Sequence, residues 1–212
     1  MIDPADVTSL LASRICHDLV SPVGAIVNGT DLITEIGGGD VQDEIAMIRQ
    51  SAGRASALLQ YYRIAFGAAD DDAMLARGAL QVQAAQMLET QKMSLDWEGL
   101  EGPSLSRTEG RFLFQLLMCA RAVAGMRGRI AVRLDPAASF PLSITVIALG
   151  SGPGGGSINH DALRLVSIEP NAGDISARQV EFALIHSSAV DLGVRLEVAA
   201  QGEGARIEAI RP

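Results

Sequence analysis

The 212-residue chain contains only two cysteines, Cys16 and Cys119, and they form neither a CxxC pair nor a disulfide framework. That fits a reducing compartment and offers no metal site. The opening MIDPADVTSLLASR has no basic stretch ahead of an apolar core, so no secretory signal is expected in it. No uninterrupted apolar run approaches the roughly 20 residues that span a bilayer. Positive charge is scarce too: 17 Lys and Arg against 25 Asp and Glu leave a net charge of −8. Nucleic acid and anionic membrane select basic surfaces, so neither is expected as a direct partner. What remains is 48% hydrophobic and 20% charged, the composition of a soluble globular chain with room for one large domain or two small ones. These absences together predict a cytoplasmic protein without metal or cofactor.

Two long helical patterns come first. Asp3-Pro4 marks a helix start, because proline is tolerated in a first turn, and the pattern runs to about Ile36. GGGD at 37–40 ends it, and Asp40 is placed to cap the next helix. That helix repeats apolar residues at Val41, Ile45, Ile48, Ala52, Ala55, Leu59, Tyr62 and Phe66, in alternating steps of four and three. A short connection makes the pair an antiparallel hairpin turning near Gly38, with His17 level with about Gln60 and Asn28 with about Arg49. One hairpin cannot hide such stripes, so two copies are expected to form a four-helix bundle. GAADDDA (67–73) reads as a linker.

Beyond it, helices are expected near 75–90, 107–126, 161–167 and 176–190. Strands are expected at KMSLDWEG, GRIAVRLDP, PLSITVIAL and a closing hairpin around QGEG. The fold class is therefore α+β: a dimerising helical hairpin at 1–67, followed by an α/β sandwich at 73–212.

The segment SRICHDLVSPVGAIVNG (13–29) sits on the first helix. At 100° per residue, Leu11, Ile15, Leu19, Ile26 and Ile33 share an arc of about 80° and form the buried stripe. His17 lies roughly 160° from its centre, on a face with Ser13, Val20, Gly24, Asn28 and Asp31. It therefore points outward. Pro22 denies the Asp18 carbonyl its helical partner, at a cost of about 3 kcal/mol in a helix interior. A neutral imidazole is a competent nucleophile near neutral pH. A carboxylate on its second nitrogen fixes the tautomer and takes up developing charge. His17 and Asp18 are the candidate catalytic pair, with Ser21 and Pro22 at the bend.

CHDLVSPVGAI resembles the H-box of sensor histidine kinases, in which a His, an acidic or amide residue, Leu, any residue and Ser/Thr-Pro precede apolar residues. His17 matches the phospho-accepting histidine, Asp18 its acidic neighbour, and Ser21-Pro22 the Ser/Thr-Pro pair. The order of elements after residue 73 resembles the kinases' ATP-binding sandwich, and GVRLEVAAQGEGARIEAIRP its closing hairpin. The nucleotide site does not follow. Gln115 and Cys119 stand where asparagines hold Mg²⁺, and a thiol is a poor ligand for that hard ion. GSGPGGG offers Gly150 where the adenine-reading aspartate belongs, and it is not a P-loop. SARQVEFALIHSS replaces the second glycine box. A phosphohistidine helix kept beside a lost nucleotide site is the pattern of the dimeric bacterial histidine phosphotransferases derived from histidine kinases.

That resemblance implies a relay of phosphoryl groups between receiver-domain aspartates through His17, without direct use of ATP. The expected partners are a hybrid histidine kinase, response-regulator receiver domains and a second copy of the chain. Mg²⁺ would belong to the receivers. A divergent active kinase and a receiver-binding scaffold are the alternatives. A receiver is expected to cover Val20, Gly24 and Asn28 on the first helix and Gln50, Arg54 and Ala57 on the second. His160 at a helix start, His186 in the last helix and Trp97 at the sheet edge are expected to be structural.

Overall fold

The computed structural model describes residues 4–36, 39–67, 73–90, 93–125, 128–138, 140–148, 158–170, 175–201 and 204–211. Helices α1 (Pro4–Ile36) and α2 (Gln42–Phe66) form the antiparallel hairpin. After α3 (Arg77–Thr90) and β1 (Met93–Glu98) come α4 (Arg107–Ala124), β2 (Gly128–Leu134) and β3 (Leu142–Ala148). Helix α5 (His160–Ser167), a 3-10 turn (Ala177–Gln179), α6 (Val180–Leu192), β4 (Arg195–Gln201) and β5 (Gly204–Ile210) complete the order. Residues 68–72 of the expected linker, the whole glycine loop at 150–156 and residues 202–203 of the QGEG tip lie outside the described residues.

The five strands make one mixed sheet in the order β1-β2-β3-β5-β4, with β1 parallel to β2 and every other pair antiparallel. Alternation decides which face is covered. Ile130, Val132, Leu142, Ile144, Val146, Ala205, Ile207 and Ala209 are buried, whereas Arg129 and Arg133 point to solvent. Helix α4 lies across the buried face. Its start is fixed by a capping box, Ser106 Oγ accepting from the Glu109 amide while the Glu109 carboxylate accepts from the Ser106 amide. From Phe112 to Ala120 every residue of α4 is buried, so it packs on helices as well as on the sheet. Arg77 is buried as well, its guanidinium donating to the carbonyls of Gly99, Pro103, Asp135 and Ala138.

The hairpin is welded to this sandwich. Tyr61 Oη donates to the Phe114 carbonyl. Gln115 Nε2 donates to the Ala65 carbonyl at 2.9 Å. The hairpin register matches the expected one: Gly29 faces Ile48, and 29 and 48 sum to the same value as Asn28 and Arg49. Asp40 Oδ1 accepts from the Gln42 amide at 3.2 Å, so it caps α2 even though Val41 holds the cap position.

The hairpin contains a built-in comparison of two helical glycines. A Cβ at Gly29 would come within 2.7 Å of Ile48 Cγ1, whereas a Cβ at Gly24 meets nothing within 4 Å. Gly24→Ala should stabilise the fold by up to about 1 kcal/mol through helix propensity. Gly29→Ala should instead destabilise it, because overpacking costs about 1–3 kcal/mol against that same gain. Urea unfolding of the two variants reads the opposite signs.

By length and composition α1 could cross a membrane, since an 18-residue window of it has a mean hydropathy of 1.4. The helix still holds no uninterrupted apolar run of that length, because Arg14, His17, Asp18, Asp31 and Glu35 break it up. Of these, Arg14 and Asp18 are tied into the rest of the chain.

Candidate functional site

His17 sits on α1 with its side chain 57% exposed, on the outward face that the helical wheel assigns to it. Its ring lies between two opposite charges. Nδ1 is 3.1 Å from Asp18 Oδ1, and Nε2 is 3.0 Å from Arg178 Nη2, which reaches across from the 3-10 turn. A guanidinium can only donate. In the neutral ring Nε2 therefore accepts, and Nδ1 carries the proton that it donates to Asp18. This tautomer puts the free lone pair, and hence the nucleophilic position, on Nε2.

Asp18 is held from three sides. Besides the His17 ring, its Oδ2 accepts from Tyr62 Oη at 2.5 Å and from Arg14 Nε at 2.8 Å. Burial alone would raise its pKa, but the Tyr62 hydrogen bond and the Arg14 charge outweigh it and hold the carboxyl below its ordinary value. The same contact, after burial, pushes the Tyr62 hydroxyl up. Arg14 is itself buried, and its Nη1 donates to the Arg178 carbonyl at 3.0 Å. That nitrogen also lies 3.6 Å from Glu181 Oε2. Glu181 is fully buried, among the described residues neither carboxylate oxygen has a hydrogen-bond partner, and desolvation raises its pKa against the pull of Arg14. A continuous polar chain thus runs Glu181–Arg14–Asp18–His17–Arg178, from α6 through α1 and back to the turn before α6.

Asp18 should set both rate and acid stability. Asp18→Asn keeps a hydrogen bond to the ring but removes the charge, and it should slow transfer by about 10²-fold. Because the folded pKa is lowered, the stabilisation by Asp18 is present above its unfolded value of about 3.8 and is lost as pH falls through the folded value. Below pH 4 the wild type should lose stability more steeply than Asp18→Asn. Unfolding midpoints between pH 2 and 6 measure the difference.

The remaining sequence candidates divide. Ser21 is exposed and Pro22 buried within an uninterrupted α1. Val20 and Asn28 are exposed, and Gly24 has open space above it. Gln50, Arg54 and Ala57 line a groove of about 590 Å³ whose other wall is Gln86, Glu89 and Thr90 of α3, with no residue of α1. Arg54 donates to the Thr90 carbonyl at 3.0 Å, and Ala57 is buried, only 8% exposed. The expectation that a receiver covers Ala57 requires an open position, and this burial does not provide one. On the α2 wheel Ala57 lies about 140° from Tyr62, which faces α1, and that side is where α3 packs. His160 is exposed at the start of α5, where Asn159 Oδ1 caps the helix by accepting from the Ala162 amide. His186 Nε2 sits 3.0 Å from the Leu165 carbonyl. Among the described residues no group of three or more His, Cys, Asp or Glu is placed to hold a metal.

The helix that would serve a nucleotide is occupied by protein contacts. Gln115 donates to the Ala65 carbonyl and accepts from Ser188 Oγ at 2.7 Å. Cys119 is buried with its thiol on the Glu181 carbonyl, and burial raises its pKa. An un-ionised buried thiol and an amide already bonded at both its oxygen and its nitrogen do not fit Mg²⁺ or phosphate.

Residues 77–204 match the family model for the histidine phosphotransferase C-terminal domain. The chain is 38% identical over 143 residues to the protein phosphotransferase ChpT of Brucella abortus (strain 2308), covering 67% of each. The solved structure of a bacterial phosphotransferase superposes with a TM-score of 0.78 at 30% identity, over 99% of this chain and 98% of that one. A histidine kinase domain from Erythrobacter litoralis aligns at 17% identity and a TM-score of 0.44, over 98% of this chain and 94% of that one.

Proposed function

The chain belongs to the histidine phosphotransferase family and acts as a histidine phosphotransferase in a two-component phosphorelay; from that premise we propose that His17 is the residue that carries the phosphoryl group. The observation that supports it is the tautomer. Asp18 holds the Nδ1 proton, so the lone pair of the exposed ring lies on Nε2, where Arg178 donates to it. That lone pair attacks the phosphorus of an aspartyl phosphate on a receiver domain. The N–P bond forms, the bond to the receiver carboxylate oxygen breaks, and the carboxylate leaves with the electron pair. The positive charge left on the ring is shared with Asp18 through Nδ1–H. Reversal onto a second receiver's aspartate completes the relay. Positioning and charge compensation are what phosphoryl transfer requires, and a helix supplies the first.

Partners follow from the surface. Val23 and Val27 of α1 and Leu59 of α2 are large, apolar and about half exposed, which fits a second hairpin packed against them in a four-helix bundle. A receiver approaching His17 would cover Val20, Gly24 and Asn28 on α1, and its donor would be a hybrid histidine kinase. The 1–67 hairpin would then be the phosphotransfer and dimerisation unit, and 73–212 the degenerate kinase-like unit. Two free cysteines fit a cytoplasmic setting.

The test separates relay from kinase. Incubated with radiolabelled ATP alone, the purified chain should stay unlabelled, because Gln115 and Cys119 are taken up by protein contacts. Incubated with a receiver domain carrying labelled aspartyl phosphate, it should become labelled. Prompt labelling from ATP alone would instead make it a kinase.

A further inference from the structure

Arg178 carries no motif and lies 161 residues from the histidine it touches. Its backbone is fixed twice. Arg14 Nη1 donates to its carbonyl, and the turn that carries it is closed by a Ser176–Gln179 capping box. Its side chain, by contrast, is exposed, so the guanidinium can swing on a fixed tether while staying within reach of the ring. In the resting structure it donates to the one nitrogen that must attack.

We propose that Arg178 is a phosphoryl-binding residue: its guanidinium releases the Nε2 lone pair as the donor arrives and then pairs with the oxygens of the phosphoryl group on Nε2. The proposal rests on the reading of His17 as the phospho-accepting residue. Arginine suits this role because its planar fork presents paired N–H donors to phosphoryl oxygens, which a point charge cannot do. No other cation among the described residues is shown in contact with Nε2, and Arg14 is spent on Asp18 and the turn. The kinase-like unit thereby contributes a functional group to the helix that bears the histidine. This gives the domain a task after losing its fit to a nucleotide: it presents Arg178.

The full-length wild type, Arg178→Ala, Arg178→Lys and His17→Ala are treated with phosphoramidate, a small phosphoryl donor that needs no receiver. Phosphohistidine is followed by ³¹P NMR. Arg178→Ala should form it at least about tenfold more slowly, below the loss typical of removing one oxyanion donor. Its ³¹P resonance should move, and Arg178→Lys should recover part of the rate and of the shift. Unfolding midpoints should not change, since the removed side chain is exposed and the carbonyl that Arg14 uses remains. A wild-type rate and resonance in Arg178→Ala would overturn the proposal, and so would faster formation, which would make Arg178 only a guard on the lone pair. Signal persisting in His17→Ala would overturn the reading of His17 instead.

Discussion

A chain carrying His17→Ala takes no phosphoryl group from a phosphorylated receiver domain, a loss of at least about 10⁴-fold, because the reacting atom itself is gone. Fold and assembly should survive. The side chain is more than half exposed, and its neighbours keep their other partners: Asp18 still accepts from Tyr62 and Arg14, and Arg178 can turn to solvent. The unfolding midpoint should stay within about 2 °C of wild type. Receiver binding should persist too, which distinguishes transfer from scaffolding. A scaffold would leave signalling output unchanged in the same variant.

The largest stability effect is expected beneath the site. Arg14→Met leaves Glu181 buried with its nearest cation gone and removes one of the three donors to Asp18. Breaking a buried pair by deleting one partner costs about 3–5 kcal/mol, because the other charge stays desolvated. The double variant Arg14→Met/Glu181→Leu removes both charges and should recover at least half of that loss, since apolar replacements of buried ion pairs are often close to neutral. Equilibrium urea unfolding of the wild type, both single variants and the double variant closes the cycle. If Arg14→Met alone were harmless, Glu181 would be protonated in the native state and Arg14 would serve the turn only.

The hairpin and sandwich were legible because hydrophobic period switches along the chain. Steps of three and four mark α2, and alternation marks β2 and β3. Even the register of the hairpin followed from the short connection, since residues equidistant from the turn must meet. His17 was legible through local chemistry: a neighbouring acid, a proline in mid-helix and an open face. Its long-range partners were not. Arg14 reads as an ordinary surface charge four residues before Asp18, a spacing that does predict the pair but not its burial under α6. Tyr62 reads as a heptad position, and it does face α1, yet its hydroxyl makes it a donor to Asp18. Arg178 and Glu181 sit in a helix-forming stretch with no motif, and only the packing of α6 against α1 brings them to the site. Ala57 failed for the converse reason. A wheel built on the hairpin alone places it on an open side, and α3 closes that side.

The most direct test of this account is to locate the phosphate. The wild-type chain is incubated with a receiver domain bearing labelled aspartyl phosphate, digested without acid, and the labelled peptide is sequenced by mass spectrometry. The account predicts a single acid-labile, alkali-stable label on the peptide that contains His17, attached at Nε2. A label on a peptide containing His160 or His186, or no label while the receiver still binds, would contradict it.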